Sequence, residues 1–338
     1  MTRLFAGIAI SALCLWLAFR HVPPGFVDTL QHANYLWLIA FPILTIALNV
    51  VRATVWRRLL DRQVARADAF WSYSLGFLVN NVLPFRAGEA ARIGALTIRS
   101  HRSAVEITAA AALERVLDVL MLLAIVLVVL PYISNFSGVS QAAFAAAFVA
   151  AAVLAVVVAL VAFRTRIDRA VSGLVTAWMP RWSGALLRAW RQLMDAFAVV
   201  KNPWAAAEVT LSMAFVWLLT VLMQWTVLLA FQPSADLVDA AVMTVVVSLA
   251  GGLPAAPGGI GIQQYAGQQA LLIPFPGKYD PAVALAAAVA AHAASYLSGS
   301  ILGVIALWHL DVPLSSWKKQ PASPSPAVVI EHAQPLID

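Results

Sequence analysis

The 338-residue chain holds one cysteine, Cys14, and charged residues make up only 11% of it. A single thiol excludes an intramolecular disulfide and a cysteine-based metal cluster. A Walker loop, an Asp-x-Asp pair, a His-Glu-x-x-His sequence and a nucleophile signature with a nearby base are all missing. These absences argue against nucleotide-driven transport and against the common metal-dependent and acyl-enzyme chemistries, so no cofactor, no metal and no enzyme activity is expected. What is abundant is apolar surface: 62% of residues are hydrophobic and the mean hydropathy is +0.84. Water could not hold such a chain in solution, and the class it defines is an all-α polytopic membrane protein with no nucleic-acid partner.

Six apolar runs are long enough to cross about 30 Å of hydrocarbon: Leu4 to Phe19, Leu36 to Val51, Ala104 to Leu130, Val139 to Phe163, Ala205 to Phe231 and Pro281 to His309. The first has a charged start at Arg3 but no small-residue cleavage site before Arg20-His21, so it reads as an uncleaved span. Two more stretches, Ala69 to Ile98 and Leu237 to Ile273, are split in the middle by proline and glycine. Each half is too short to cross alone, and each stretch reads as a re-entrant helix pair.

Short cytoplasmic loops collect lysine and arginine, and this tests the layout. With both termini inside, the inner face receives Arg3, the run Arg52, Arg57, Arg58, Arg62 and Arg66, then Arg99, Arg102, the arginines between 164 and 191, Lys201, Lys318 and Lys319. Arg20 and Lys278 fall outside, and Arg86, Arg92 and Arg115 remain at membrane depth. Reading either split stretch as one ordinary span would reverse every later loop.

The same layout implies an inverted repeat within a transmembrane domain of residues 1–310: span, re-entrant pair, span over about 36–130, and again over 205–309. Residues 164–204 mix arginines with Trp178, Trp182, Trp190 and Trp204 and predict an amphipathic connector on the inner surface. Residues 311–338, rich in Pro, Ser and Lys, predict a disordered cytoplasmic tail.

Ionisable residues inside a membrane cost roughly 2.5–3.5 kcal/mol each on insertion scales, so each needs a reason. The first break holds Pro84, Arg86, Gly88, Glu89 and Arg92. A helix starting near Gly88 would aim its N–H groups into the break, and with two arginines it could hold a phosphate. Alternatively Arg86 and Arg92 neutralise Glu89 or snorkel to headgroups. Glu114, Arg115 and Asp118 form a second cluster near mid-membrane, where Arg115 can reach Asp118. Substrate contact and interhelical glue are both open for it. The second break offers Pro254, Pro257, Gly258, Gly259 and Gly261, then Gln263, Gln264, Gln268 and Gln269. Glycine-rich backbone at membrane depth points to site lining. On the last span, His292 is a candidate proton carrier or a hydrogen-bonded structural histidine.

Taken together, Pro84, Arg86, Gly88, Glu89 and Arg92, Glu114-Arg115 with Asp118, and Pro254, Pro257, Gly258, Gly259, Ile260 and Gly261 resemble the lysylphosphatidylglycerol synthase transmembrane region, or flippase-like, family over residues 1 to about 310. The resemblance implies a bacterial or archaeal inner-membrane protein that handles anionic or modified phospholipids or related lipid-linked molecules. Family members often carry a glutamate shortly after the glycine motif, where this chain has Gln264. Bifunctional members add an aminoacyl-transfer domain, and only a short tail follows His309 here, so lysylphosphatidylglycerol synthesis by this sequence is not expected.

The leading expectation is a lipid flippase or transporter working by alternating access. A phosphate head would go to Arg86, Arg92 and Arg115, while Glu89, Glu114 and Asp118 balance charge or receive a cationic headgroup. A membrane-embedded lipid-modifying transferase using Glu89 as base, and a non-transporting accessory subunit of a lipid-processing complex, are the alternatives. Homo-oligomerisation or a lipid-synthesis partner is compatible with each.

Overall fold

A computed structural model describes residues 12–20, 22–83, 87–133, 148, 152, 159, 163–196, 202–252 and 257–311. Pro84, Arg86, Pro254, most of the expected span Val139 to Phe163 and the expected tail beyond Asp311 lie outside the described residues. Every regular element among the described residues is helical. Residues 12–19 are helical. There follow α1 (Phe26–Gln31), α2 (Leu36–Leu59), α3 (Arg66–Val82), α4 (Ala87–Ser100), α5 (Ala104–Val129), α6 (Arg164–Trp178), α7 (Ser183–Ala196), α8 (Pro203–Phe231), α9 (Leu237–Ala250), α10 (Ile262–Leu272) and α11 (Pro281–Leu310).

Several starts are written in local chemistry. Asn202 caps α8 by accepting from the N–H groups of Trp204 and Ala205, with Pro203 as the first helical residue. Asp280 and Pro281 repeat that arrangement at α11. Asp236 and Asp239 form a reciprocal capping box at α9. Three helices, α2, α8 and α11, are long and apolar enough to cross a membrane. At 26 residues α5 is long enough too, but it carries Glu106, Glu114, Arg115 and Asp118.

Both split stretches become pairs of short helices. The longest of the four, α3, has 17 residues, about 25 Å at 1.5 Å per residue. Its partner α4 folds back along it. A Cβ on Gly88 would sit 2.0 Å from the Gly76 carbonyl oxygen, so only glycine lets the two backbones meet there. Asn80 Oδ1 accepts the Gly88 N–H at 2.8 Å and closes the turn. In the second pair, α9 and α10 are joined through a 3₁₀ turn at Pro257–Gly259, with φ of 69° at Gly258 and 90° at Gly261.

Helices α2 and α8 lie antiparallel: Arg58 meets Glu208 at one end, and the Asn34 N–H donates to the Ala230 carbonyl at the other. On α11 the buried stripe of Ala284, Ala287, Ala288 and Ala291 admits close neighbours, and Gly267 of α10 sits directly against Ala288. Small residues at such seams are how helices approach where lipid leaves little hydrophobic drive. One reading needs correction. The first long helix does not end at Val51 but continues to Leu59, and Arg52 is buried within it rather than lying in the inner loop.

Candidate functional site

The residues singled out around the first break and on the following span come together in one network. Glu114, fully buried on α5, sets one carboxylate oxygen 2.8 Å from Arg52 and the other 3.0 Å from Arg92 and 3.4 Å from Arg115. Asp118, one turn on, lies 2.8 Å from Arg52 and 3.3 Å from Arg115. Its Oδ1 also accepts the Trp217 indole N–H at 3.1 Å. Glu89 completes the set, 2.5 Å from Arg92 and 3.6 Å from Arg115. Three arginines thus face three carboxylates, contributed by α2, α4 and α5. Burial of this many charges is tolerated because each finds opposite partners.

Aromatic rings close the network from the side. The Arg92 guanidinium stands 4.7 Å from the Trp56 ring centroid and 5.2 Å from that of Tyr73, and Arg52 stands 5.7 Å from Tyr73. The electron-rich ring faces attract the cations while excluding water. The bonding is uneven. Arg52 makes aligned hydrogen bonds to both Glu114 and Asp118. Arg92 is close to its carboxylates but misaligned: its Nη2, 2.5 Å from Glu89 and 3.0 Å from Glu114, makes no aligned hydrogen bond, and its Nε, like that of Arg52, has no partner. Such unmet buried donors are uncommon and call for a reason. Exposure is uneven too: Arg115 and Glu89 are 44% and 37% exposed, while the other four members are buried.

Around the second break the polar groups are spent on one another. Gln264 Oε1 accepts the Gly261 N–H at 2.7 Å, and its amide nitrogen lies 2.6 Å from His292 Nδ1. His292 Nε2 lies 2.9 Å from the Gly258 carbonyl oxygen. A carbonyl can only accept, which assigns the proton to Nε2 and leaves Nδ1 to accept from Gln264. In this arrangement His292 is a neutral latch for the glycine turn. A cavity of about 160 Å³ lies beside it, with Thr220, Gln224, Ser248, Gln263 and Ser295 among its lining residues. The Gln224 Oε1 there is buried and unpaired. Trp217, Thr220 and Gln224 follow one face of α8, which joins this cavity to the charge network.

The two breaks touch. Asn81, two residues before the described end of the first hairpin, donates through Nδ2 to the Tyr296 carbonyl at 3.1 Å and to the Ser300 hydroxyl at 2.9 Å. A Cβ on Gly258 would stand 2.7 Å from the Tyr296 ring and 3.4 Å from the Asn81 carbonyl oxygen. Tyr296 therefore sits as a wedge between Asn81 and Gly258. Gly259 lies in the same turn with a φ of 71°.

Arg52, Trp217 and Asn81 were not among the expected site residues, whereas Tyr296 shares with His292 and Ser295 a polar face of the last span that the sequence shows. Arg52 has a signal in retrospect: it is in helical phase with Leu48, Trp56 and Leu59, all buried on α2. Trp217 and Asn81 are brought in by contacts between distant segments, for which no local pattern exists.

Paired short helices that meet within an all-helical bundle, around a buried set of matched charges, define a multi-pass membrane protein. The chain belongs to the family described as the lysylphosphatidylglycerol synthase TM region, whose model matches residues 4–303. That membership makes it a lipid-associated membrane protein. No curated protein and no solved structure matches it.

Proposed function

We propose that this protein moves an anionic or modified phospholipid, or a related lipid-linked molecule, between the leaflets of the bacterial or archaeal inner membrane. The observation that carries the reading is Arg92, a buried arginine whose Nε has no hydrogen-bond partner and whose Nη2 sits between Glu89 and Glu114 without an aligned bond, in a network that is open through Arg115 and Glu89. Arg52 with Glu114 and Asp118 is the fixed part, which ties α2 to α5. Arg92 and Arg115 are the part a headgroup phosphate reaches, and Arg86 stands nearby in sequence. Charge-assisted hydrogen bonds to phosphate suit arginine, whose fork presents two donors at once.

The charge balance adds a constraint. Three arginines against three carboxylates leave no surplus cation for a phosphate. An arriving phosphate therefore displaces Glu89 from Arg92 and Arg115, and Glu89 must then take a cationic headgroup group or a proton. Zwitterionic or aminoacylated headgroups satisfy both ends of the site, and simple anionic ones require proton uptake.

Alternating access would come from an inverted repeat in which α2 to α5 correspond to α8 to α11. The packing supports this: α2 touches α3 as α8 touches α9, α3 touches α4 as α9 touches α10, and α11 lies on α3 as α5 lies on α9. Short helix pairs that meet near a midplane are a recurrent plan of transporters. In this reading both termini are cytoplasmic, and the Arg57 to Arg66 end of α2 and α3 is the inner face.

The test is scrambling of fluorescent phospholipids with anionic, zwitterionic and cationic headgroups in proteoliposomes. Wild type is compared with Arg92→Ala, Arg115→Gln and Glu89→Gln at matched reconstitution. Each arginine variant is expected to slow movement at least about tenfold, the equivalent of one lost charge-assisted hydrogen bond. Normal rates in both arginine variants would remove the site from the first break.

A further inference from the structure

At the end of α2, away from the charge network, Arg57, Arg58, Arg62 and Arg66 converge with Thr54 and Glu208 on a pocket of about 270 Å³. Four guanidinium groups meet one carboxylate, so three positive charges are left over. Glu208 fixes two of them: it lies 3.1 Å from Arg58 Nε, and both its oxygens accept from Arg62 Nη2 at 3.0 Å. Arg57 spends its Nε on the Val64 carbonyl at 2.8 Å, which leaves its terminal nitrogens free. Arg66 has no carboxylate partner among the described residues. The Arg58 Nε, though near Glu208, is buried and makes no aligned hydrogen bond. Arginines placed only to set topology would spread outward into water. These line a concavity, with Arg57 and Arg58 half-buried and Arg62 and Arg66 reaching its open side.

The surface leading away from the pocket is apolar and open. On α2, Val50, Ile46 and Ile43 are exposed at helical spacing below Thr54. On the antiparallel α8, Leu211, Phe215 and Leu218 are exposed at the same kind of spacing beyond Glu208. Both stripes start at the pocket and run in the same direction, toward the end where Asn34 meets Ala230. A soluble phosphate compound would use the arginines but not the stripes. A diacyl phospholipid would use both.

We propose that this pocket binds the phosphate-bearing headgroup of an anionic phospholipid, with its acyl chains lying along the exposed faces of α2 and α8. The site is separate from the network at the first break. It holds or fails independently of transport, because binding is counted in detergent where no leaflets exist. Phosphate contact by several arginines gives both charge attraction and bidentate geometry, and a surplus of three cations makes the site selective against net-neutral headgroups.

The experiment is native mass spectrometry of the purified protein in detergent, offered dioleoylphosphatidylglycerol or dioleoylphosphatidylcholine. Inorganic phosphate and glycerol 3-phosphate in millimolar excess serve as soluble competitors. Wild type is expected to retain phosphatidylglycerol at least about tenfold better than phosphatidylcholine. The pair Arg62→Gln with Arg66→Gln should abolish that preference, while Arg181→Gln, on an exposed turn of the connector, leaves it intact. Arg66→Gln alone, which breaks no ion pair, should lower retention several-fold and guards against a folding artefact. Equal retention of the two lipids, or a preference unchanged in both pocket variants, would overturn the assignment. Displacement of the lipid by either soluble competitor would assign the pocket to a water-soluble phosphate compound instead.

Discussion

Replacing Arg52 by methionine should destabilise the protein, and a second replacement should partly restore it. Arg52 bridges Glu114 and Asp118 at 2.8 Å each, with all three side chains buried. Removing one partner of a buried pair typically costs about 3–5 kcal/mol, because the charge left behind is desolvated and unmatched. In Arg52→Met two arginines face three carboxylates. At roughly 2 °C per kcal/mol for a chain of this size, Tm should fall by about 6–10 °C. Adding Asp118→Asn returns the network to two against two. The asparagine Oδ1 can still accept the Trp217 indole N–H, which Asp118 Oδ1 now accepts at 3.1 Å. The double variant should therefore melt above the single one, recovering about 1–3 kcal/mol. Melting curves in detergent followed by tryptophan fluorescence read this directly. A double variant that melts no higher than Arg52→Met would mean that charge balance does not hold the network together. A fall of under about 1 kcal/mol for the single variant would mean that Arg52 is no part of the structural core.

Arg115→Gln should behave in the opposite way: Arg115 is 44% exposed and its contacts are 3.3–3.6 Å, so stability should change by less than about 1 kcal/mol while lipid movement falls. Gly303→Ala should be poorly tolerated, since its Cβ would stand 2.3 Å from Leu78 Cβ and 2.9 Å from the Ser74 carbonyl oxygen. Overpacking of that kind costs about 1–3 kcal/mol, whereas Gly94→Ala, with no atom within 4 Å, should be neutral or slightly stabilising in the same melt. Opposite the arginine pocket, Lys278 hydrogen-bonds Asp239 at 2.8 Å and Asp236 at 2.9 Å. Partial burial alone would lower the Lys278 ammonium, but these two hydrogen bonds outweigh it and raise its pKa. Burial would raise Asp236, and the Lys278 hydrogen bond outweighs that and lowers it. A raised lysine contributes stability that is full below its unfolded value, about pH 10.4, and fades as pH climbs through the folded one. A lowered aspartate contributes above about pH 3.9 and fades as pH drops through its folded value. Melting temperature should therefore show shoulders at both extremes, and Lys278→Met should remove the alkaline one and shrink the acid one, which the N–H groups of Val238 and Asp239 bonded to Asp236 also support.

Much of the architecture can be read from hydropathy and helix punctuation. The helices Pro203–Phe231 and Pro281–Leu310 fall within two residues of the apolar runs, because Asn202-Pro203 and Asp280-Pro281 mark their starts. Glu89 with Arg92 and Arg115 with Asp118 are pairs at i, i+3, and both form as the helical spacing requires. Arg52 was hidden by its neighbourhood. It follows a continuous apolar run and precedes four more arginines, so it looks like the start of a basic loop, and only the continued phase of Trp56 and Leu59 betrays the helix. Gln264 and His292 lie 28 positions apart, and Asn81 and Tyr296 lie 215 apart. Chain topology decides those contacts, and no periodicity within one segment encodes them.

The most direct measurement is the rate at which wild-type protein moves a fluorescent anionic or lysine-modified phospholipid across proteoliposomes, compared with protein-free vesicles of the same composition. Movement faster than in empty vesicles, and stronger for a phosphate headgroup that also carries an amine, is the predicted result. Rates equal to those of empty vesicles for every headgroup would contradict transport and leave a lipid-modifying or accessory role for the buried charges.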